Sequence, residues 1–291
     1  MKLGIVTPVL TLLPRAHATW EETASFSDVV DVVCEADRLG YHHATCSEHV
    51  AIPAQVAETR GGRYWDPLAT FGYLAARTEA IRLATHVLVL GYHHPLEIAK
   101  RYGTLDRVCD GRLVLGVGVG SLAEEFELLG VPFDDRGARA DDAMRALRAS
   151  LSQIRPEYHG EFYEFGGMVV DPCAAQDRVP MWVGGRTARS LRRAVELGDG
   201  WAPFGLGGRD LESMLTGARD TEAWSARREP LEVVLQNERP LDPMAEPDRV
   251  SETVRRLTNI GATALNVRFV HHSAAHFKEQ LAALMAIVRS V

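Results

Sequence analysis

Short apolar runs alternate with amphipathic stretches along the whole chain, and the two periods, about two and about 3.6 residues, separate strands from helices. Residues 3–7 read as a first strand. Phe26–Leu39 reads as a helix, with Val29, Val30, Val33, Ala36 and Leu39 at helical spacing and Gly40 as its stop. A second strand is expected at 42–49, and Asp66-Pro67 opens a helix running to about residue 78 as cap and first-turn proline. The same reading gives a strand at 81–90, a helix at 95–109, a strand at 113–119 and a long helix at 138–154. Residues 158–170 alternate around Gly166-Gly167 and are expected to form an inserted hairpin. Strands at 180–183, 201–204, 231–235 and 264–269 then alternate with helices at 187–197, 211–224, 248–260 and 274–291.

Eight strand-then-helix units imply a parallel sheet, and at this length they fit an α/β fold of the (β/α)8 TIM-barrel type. The extra length falls after strand 4 and before strand 5, and residues 1–291 are expected to form a single domain. A doubly wound open sheet is the competitor, but it favours a glycine-rich first turn, and residues 8–14 contain no glycine.

Composition narrows the function classes. The formal charge is −7, from 39 acidic against 32 basic residues, and no basic run is long enough to track phosphates, so nucleic-acid binding is not expected. No apolar run approaches the length of a membrane span. The first six residues are too brief for a signal sequence, so a cytoplasmic location is expected. Cys34, Cys46, Cys109 and Cys173 are scattered with no C-x-x-C pair, which reads as reduced, mostly buried thiols.

In a barrel the chemistry gathers at the C-terminal ends of the strands. Those ends are rich in glycine, imidazole and aromatic residues and show no cluster of carboxylates. Gly116, Gly118 and Gly120 alternate at the end of the fourth strand, which suggests a flat or anionic group close to the backbone there. Gly184-Gly185-Arg186 sits between a strand and a helix N-terminus, a turn suited to an anion, and Arg186 and Arg189 add charge. His49, ending the second strand in Ser47-Glu48-His49, is placed to pass or orient a proton. The pairs His42-His43, His93-His94 and His271-His272 invite a metal reading, but neighbours on a strand point to opposite faces and H-x-H is absent, so no metal is expected. Asp106-Arg107 and Asp110-Gly111-Arg112 fall at the opposite, stability face.

At these residues the chain resembles the bacterial luciferase-like superfamily of flavin- and deazaflavin-dependent oxidoreductases. The similar pieces are Ser47-Glu48-His49, Trp65-Asp66-Pro67-Leu68, Ile81-Arg82-Leu83-Ala84-Thr85 and Leu105-Asp106-Arg107-Val108 leading into Gly111-Arg112-Leu113 and the three glycines. They continue with Glu124-Glu125-Phe126-Glu127-Leu128-Leu129-Gly130, Arg136-Gly137, Pro180-Met181-Trp182-Val183-Gly184-Gly185 and Gly198-Asp199-Gly200-Trp201. The resemblance implies a barrel, often a homodimer, that binds coenzyme F420 or FMN and acts on a small-molecule substrate. It implies a non-proline cis peptide at His86–Val87, and cofactor contacts from Glu48, His49, Thr85, His86, Val87, Gly118, Val119, Gly120, Ser121, Gly184, Gly185 and Arg186. His49 matches the family's imidazole near the reactive ring carbon and is the expected catalytic residue.

Ser121 stands where some deazaflavin-dependent dehydrogenases carry a glutamate, which leaves no assigned general acid. Hydride transfer with F420 is the leading expectation, and Arg60, Arg63 and Arg186 offer charge to its acidic tail. The alternatives are an FMNH2-dependent two-component monooxygenase fed by a separate reductase, a non-flavin barrel hydrolase, and a non-catalytic binding protein.

Overall fold

Alternation along each strand sends one set of side chains into a ring and the other set against surrounding helices. In the computed structural model, which describes residues 1–290, the ring consists of β1 (Lys2–Val6), β2 (His43–Cys46), β3 (Arg82–Thr85), β4 (Leu113–Gly118), β5 (Met181–Gly184), β6 (Gly200–Ala202), β7 (Glu232–Gln236) and β8 (Ala264–Val267). Each pairs in parallel with its successor, and β8 pairs with β1 from Lys2 opposite Ala264 to Ile5 opposite Val267, which closes the barrel. The outer layer is α1 (Phe26–Leu39), α2 (Pro67–Ala75), α3 (Pro95–Val108), α4 (Arg136–Ser150), α5 (Ala188–Leu197), α6 (Gly208–Arg219), α7 (Pro247–Ile260) and α8 (Ala274–Ser290). Val291, expected to end the last helix, lies outside the described residues.

Local chemistry sets these boundaries. Gly40 ends α1 at φ 87°, and the Asp66 carboxylate accepts from the Ala69 amide at 2.8 Å to cap α2. The expected helix at 211–224 is two pieces, because Thr221 leaves the helix to cap the short Glu222–Ser225 turn through the Trp224 amide. The inserted hairpin pairs Tyr158 with Phe165 and His159 with Glu164, so its turn lies at 160–163 and not at Gly166-Gly167. The reason is Asp142 on α4, whose carboxylate accepts from the amides of Phe162 (2.7 Å) and Tyr163 (3.0 Å) and from the Tyr158 hydroxyl.

The inside of the barrel is filled by a few large rings set among small residues. Trp182, 1% exposed, packs with Ala84, Val114, Ala202, Val234 and Ala264. A Cβ at Gly200 would lie 2.4 Å from the Trp182 ring, and one at Gly4 would lie 2.1 Å from the ring of His43. Both glycines therefore make room for neighbouring side chains.

The third strand is not continuous over 81–90. It breaks after Thr85, passes through the expected non-proline cis peptide at His86–Val87, and resumes as Leu88–Val89 against Val117 and Gly118 of β4. The alternating glycines receive this bend. A Cβ at Gly116 would lie 1.8 Å from the Thr85 carbonyl oxygen, and Cβ atoms at Gly118 and Gly184 would each lie 2.6 Å from the Val87 side chain. At these glycines protein atoms thus take the space that side chains would occupy.

Gly116→Ala is accordingly expected to destabilise the protein by about 3 kcal/mol or more, because the obstructing atom is backbone. Gly72→Ala, inside α2 where an added Cβ meets nothing within 4 Å, should stabilise it by about 0.5–1 kcal/mol. Urea unfolding of the two variants beside the parent checks both, and a Gly116→Ala protein with the parent's midpoint would refute the slot.

Candidate active site

Residues 47–49 leave β2 at the barrel mouth and are used three different ways. Ser47 Oγ donates to the His86 carbonyl (2.8 Å), while the His86 amide donates to the Cys46 carbonyl (2.7 Å). The Glu48 amide donates to the Val87 carbonyl (3.3 Å), and its carboxylate accepts from the Val89 amide (2.7 Å) and meets His93 Nε2 at 2.7 Å. Thr85 Oγ1 donates to the Gly116 carbonyl at 2.7 Å. The side chains of Glu48 and Thr85 thus face protein partners. Burial opposes charge on the His93 ring, but the Glu48 hydrogen bond and charge outweigh it and raise its pKa. His86 is partly exposed as a residue, yet desolvation holds the pKa of its ring below the ordinary imidazole value.

His49 points to a partner that the strand-end reading missed. Its Nδ1 lies 2.7 Å from Oε2 of Glu125, a carboxylate only 1% exposed. The same carboxylate accepts from the amides of Val50 (2.5 Å) and Ala51 (3.1 Å) and from the Tyr92 hydroxyl (2.5 Å). Burial by itself would raise the Glu125 pKa, and these four bonds together bring it below the usual carboxyl range. An ionised carboxylate only accepts, so His49 carries a proton on Nδ1, and its Nε2 has no hydrogen-bond partner among the described residues. Tyr64 packs edge-on against the ring at 4.4 Å.

Glu125 sits on a short helix, Ala123–Leu128, that Phe126 anchors. Phe126 fills the space that Cβ atoms at Gly91 (2.6 Å) and Gly120 (2.5 Å) would take, and packs against the rings of Tyr92 and Phe133. Its sequence signal was available. Leu122, Phe126 and Leu129 form an apolar stripe at i, i+4 and i+7, and Glu125 occupies the i+3 position on that face. A carboxylate on an apolar face needs partners, and here it has them.

The remaining expected residues divide by exposure. Val119 and Gly120 are partly exposed, and Ser121 is exposed with its hydroxyl accepting from Arg60 at 3.2 Å. Gly185, at φ 114°, turns the chain into α5, where Thr187 Oγ1 accepts from the Ser190 amide (3.2 Å). Arg186 is exposed and has no ion-pair partner among the described residues. Arg63 is committed elsewhere, donating to the carbonyls of Glu21 and Glu22, each at 3.0 Å.

The histidine pairs have structural partners. His42 precedes β2, so strand alternation does not apply to it, and its Nδ1 comes within 3.1 Å of Nδ1 of His43. Desolvation lowers both pKa values, that of His42 to about 4, so both rings are neutral. His94 caps α3, and His271 Nδ1 accepts from Trp20 at 2.9 Å. Among the described residues no group of three or more His, Cys, Asp or Glu is arranged to hold a metal, and no helix is long and apolar enough to cross a membrane.

The family described as Luciferase-like monooxygenase matches residues 1–283. The chain belongs to this luciferase-like family. It is an oxidoreductase by that membership, and the family relatives use either F420 or a flavin. The chain is 29% identical over 180 residues to an F420-dependent glucose-6-phosphate dehydrogenase of Nocardia farcinica, covering 60% of this chain and 52% of that protein. It is 28% identical over 199 residues to the oxygenase component of a flavin-dependent trigonelline monooxygenase of Acinetobacter baylyi, covering 65% and 52%. The structure of monooxygenase RslO1 from Streptomyces bottropensis superposes with a TM-score of 0.82 at 21% identity, over 100% of this chain and 99% of that one, which establishes the shared barrel.

Within this luciferase-like barrel, Glu125→Gln is expected to lower stability by about 2 kcal/mol near neutral pH, because charge-assisted bonds in an enclosed site are lost. The native carboxyl titrates below its ordinary value of 4.5. The parent's advantage is therefore full above that value and fades as pH falls through the lower native value. Urea unfolding from neutral pH to about pH 3 checks this, and a gap that stays constant over the range would rule out the ionised carboxylate.

Proposed function

We propose that this luciferase-like chain exchanges a hydride between coenzyme F420 and a small organic substrate in the barrel mouth, with His49 moving the accompanying proton. The observation that carries the reading is the His49–Glu125 pair at 2.7 Å, which fixes the orientation of the ring and leaves Nε2 without a hydrogen-bond partner among the described residues. Oxidation of an alcohol to a carbonyl, or its reverse, needs a proton acceptor or donor beside the hydride path. In a chain with Ser121 at the position where some relatives carry glutamate, His49 backed by Glu125 supplies that group.

The residues present fit a flavin-like group with a phosphate-bearing chain. Gly185 adopts a backbone conformation that side chains resist, and an added Cβ would lie 2.9 Å from Ser190. Together with the first amides of α5 and the unpaired Arg186, this turn suits a phosphate. His86, Val87, Gly118, Val119, Gly120 and Ser121 would line the ring and its linker, Gly184 to Arg186 would take the phosphate, and Arg60 would lend charge beside Ser121. When bound, the cofactor supplies the hydride donor or acceptor. The protein orients the substrate, excludes water and holds the proton at His49 Nε2. We carry a homodimer as part of the same proposal.

FMN is the second reading, favoured by the similarity to the trigonelline monooxygenase oxygenase component. In that case a separate reductase would deliver reduced flavin, and oxygen would be the co-substrate. Fluorescence titration separates the two. One F420 per chain should bind at micromolar concentrations, and Arg186→Ala should weaken it about tenfold. Binding of FMN but not F420, with substrate-dependent oxygen uptake on addition of FMNH2, would overturn the F420 assignment and favour the second reading.

A further inference from the structure

Glu125 is shared between two side chains that arrive from different parts of the barrel. His49 reaches it from the end of β2, and Tyr92 from the short turn Leu90–Tyr92 that follows Leu88–Val89. Both donate to one oxygen: His49 Nδ1 lies 2.7 Å, and the Tyr92 hydroxyl 2.5 Å, from Oε2. Oε1 is filled separately by the amides of Val50 (2.5 Å) and Ala51 (3.1 Å). A carboxylate oxygen offers two lone pairs, so neither oxygen has room for a further donor. The negative charge on Oε2 is therefore divided between His49 and Tyr92.

Tyr92 is a standing donor. It is 9% exposed, its ring packs against Phe126 at 5.0 Å, and its hydroxyl is given to Glu125. Burial, joined by the Glu125 hydrogen bond and the charges of Glu125 and Glu48, raises the pKa of that hydroxyl. It therefore keeps its proton at neutral pH, where the Glu125 carboxyl is ionised. The other phenol beside His49 is committed elsewhere. Tyr64 packs edge-on against the imidazole at 4.4 Å, but its hydroxyl donates to the Arg60 carbonyl at 2.9 Å. The charges of Arg60 and Glu125 act on Tyr64 in opposite directions. His93, next to Tyr92 in the chain, is taken by Glu48 at 2.7 Å.

We infer that Tyr92 is a positioning residue for proton transfer, which shares Oε2 and so limits the pull of Glu125 on the charged form of the His49 ring. The inference rests on the proposed use of His49 to move a proton. An imidazole that both accepts and releases a proton works best when neither state is strongly favoured. With His49 as the lone donor on Oε2, the carboxylate would place more negative charge on that bond and favour the charged ring. The Tyr92 hydroxyl takes up part of that charge, while the two amides on Oε1 hold the carboxylate in place. Nothing is transferred to Tyr92: its O–H bond stays intact, and the proton handled by His49 enters and leaves at Nε2. The His49 side chain is 21% exposed, whereas Tyr92 acts only through Glu125.

Proton NMR of the purified full chain tests this through the His49 Nδ1–H signal, assigned by its absence in His49→Phe. In Tyr92→Phe, which keeps the ring and removes the hydroxyl, that signal should move downfield as the bond to Glu125 strengthens. The pH midpoint of the His49 ring signals should rise by about half a unit, roughly a threefold gain in proton affinity. Tyr64→Phe should leave both where the parent has them. A purely structural Tyr92 predicts the reverse, since a loosened Glu125 would move the signal upfield and lower the midpoint. That result, or no change in either, would overturn the inference. Should Tyr92→Phe not fold, the reciprocal measurement decides. In His49→Phe the Tyr92 hydroxyl proton should move downfield, and an unmoved or upfield signal would refute the sharing of Oε2. Titration of F420 and FMN into the parent keeps the two proposals apart. The expected shifts without any cofactor binding would sink the proposed function alone, and normal F420 binding without the shifts would sink the role of Tyr92 alone.

Discussion

Where β3 leaves the barrel wall, the Thr85 carbonyl and the Val87 side chain occupy space that any residue other than glycine at 116, 118 or 184 would fill. The mouth is built outward from that fit. With the bend seated, Val89 and His93 come into reach of Glu48, and the hydrogen bonds from Ser47 and Glu48 lock the end of β2 to the same segment. Tyr92 then stands where its hydroxyl meets Glu125, and Gly91 and Gly120 leave room for Phe126 to fix the helix that carries this carboxylate. His49 is oriented only because each of these steps holds.

Much of this was legible in the sequence, and the reasons differ by element. The strand and helix order followed from periodicity, because residues on each element face either the ring or the outer layer. The break at Thr85 was not readable from pattern, since 81–90 carries no glycine or proline to mark it, and it came from the resemblance at Ile81–Thr85. The glycines of β4 were noticed for the right reason, close approach, but the approaching atoms belong to the neighbouring strand segment. Glu125 enters the sequence reading only within the similar piece at 124–130, because Glu124, Glu125 and Glu127 look alike by composition. Only their phase against Leu122 and Phe126 distinguishes the buried one, and that phase becomes decisive once the six residues are known to be helical. Glu48 differs from Glu125: its motif position suggested ligand contact, and its carboxylate meets the Val89 amide and His93.

The buried carboxylates that hold the loops are satisfied by the chain itself. Glu21 accepts from the amides of Val9 (2.6 Å) and Ala18 (2.7 Å), and so ties the first loop to itself. Asp106, fully buried below β4, accepts from Leu113, Ala175 and Gln176. Glu48, Glu125 and Asp142 follow the same rule. A buried carboxylate with several donors is inexpensive and holds loops in register. In this fold each of these five is saturated by protein.

Against that background, the unpartnered atoms inside the barrel read differently. Four of the buried polar atoms without a partner among the described residues belong to His43, Asn266 and Arg268. All four atoms are enclosed by the chain itself, whereas His49 has its Nδ1 held by Glu125 and its Nε2 without a hydrogen-bond partner among the described residues. The mouth is thus held in shape by self-contact, and His49 is the group that it presents with hydrogen-bonding capacity to spare.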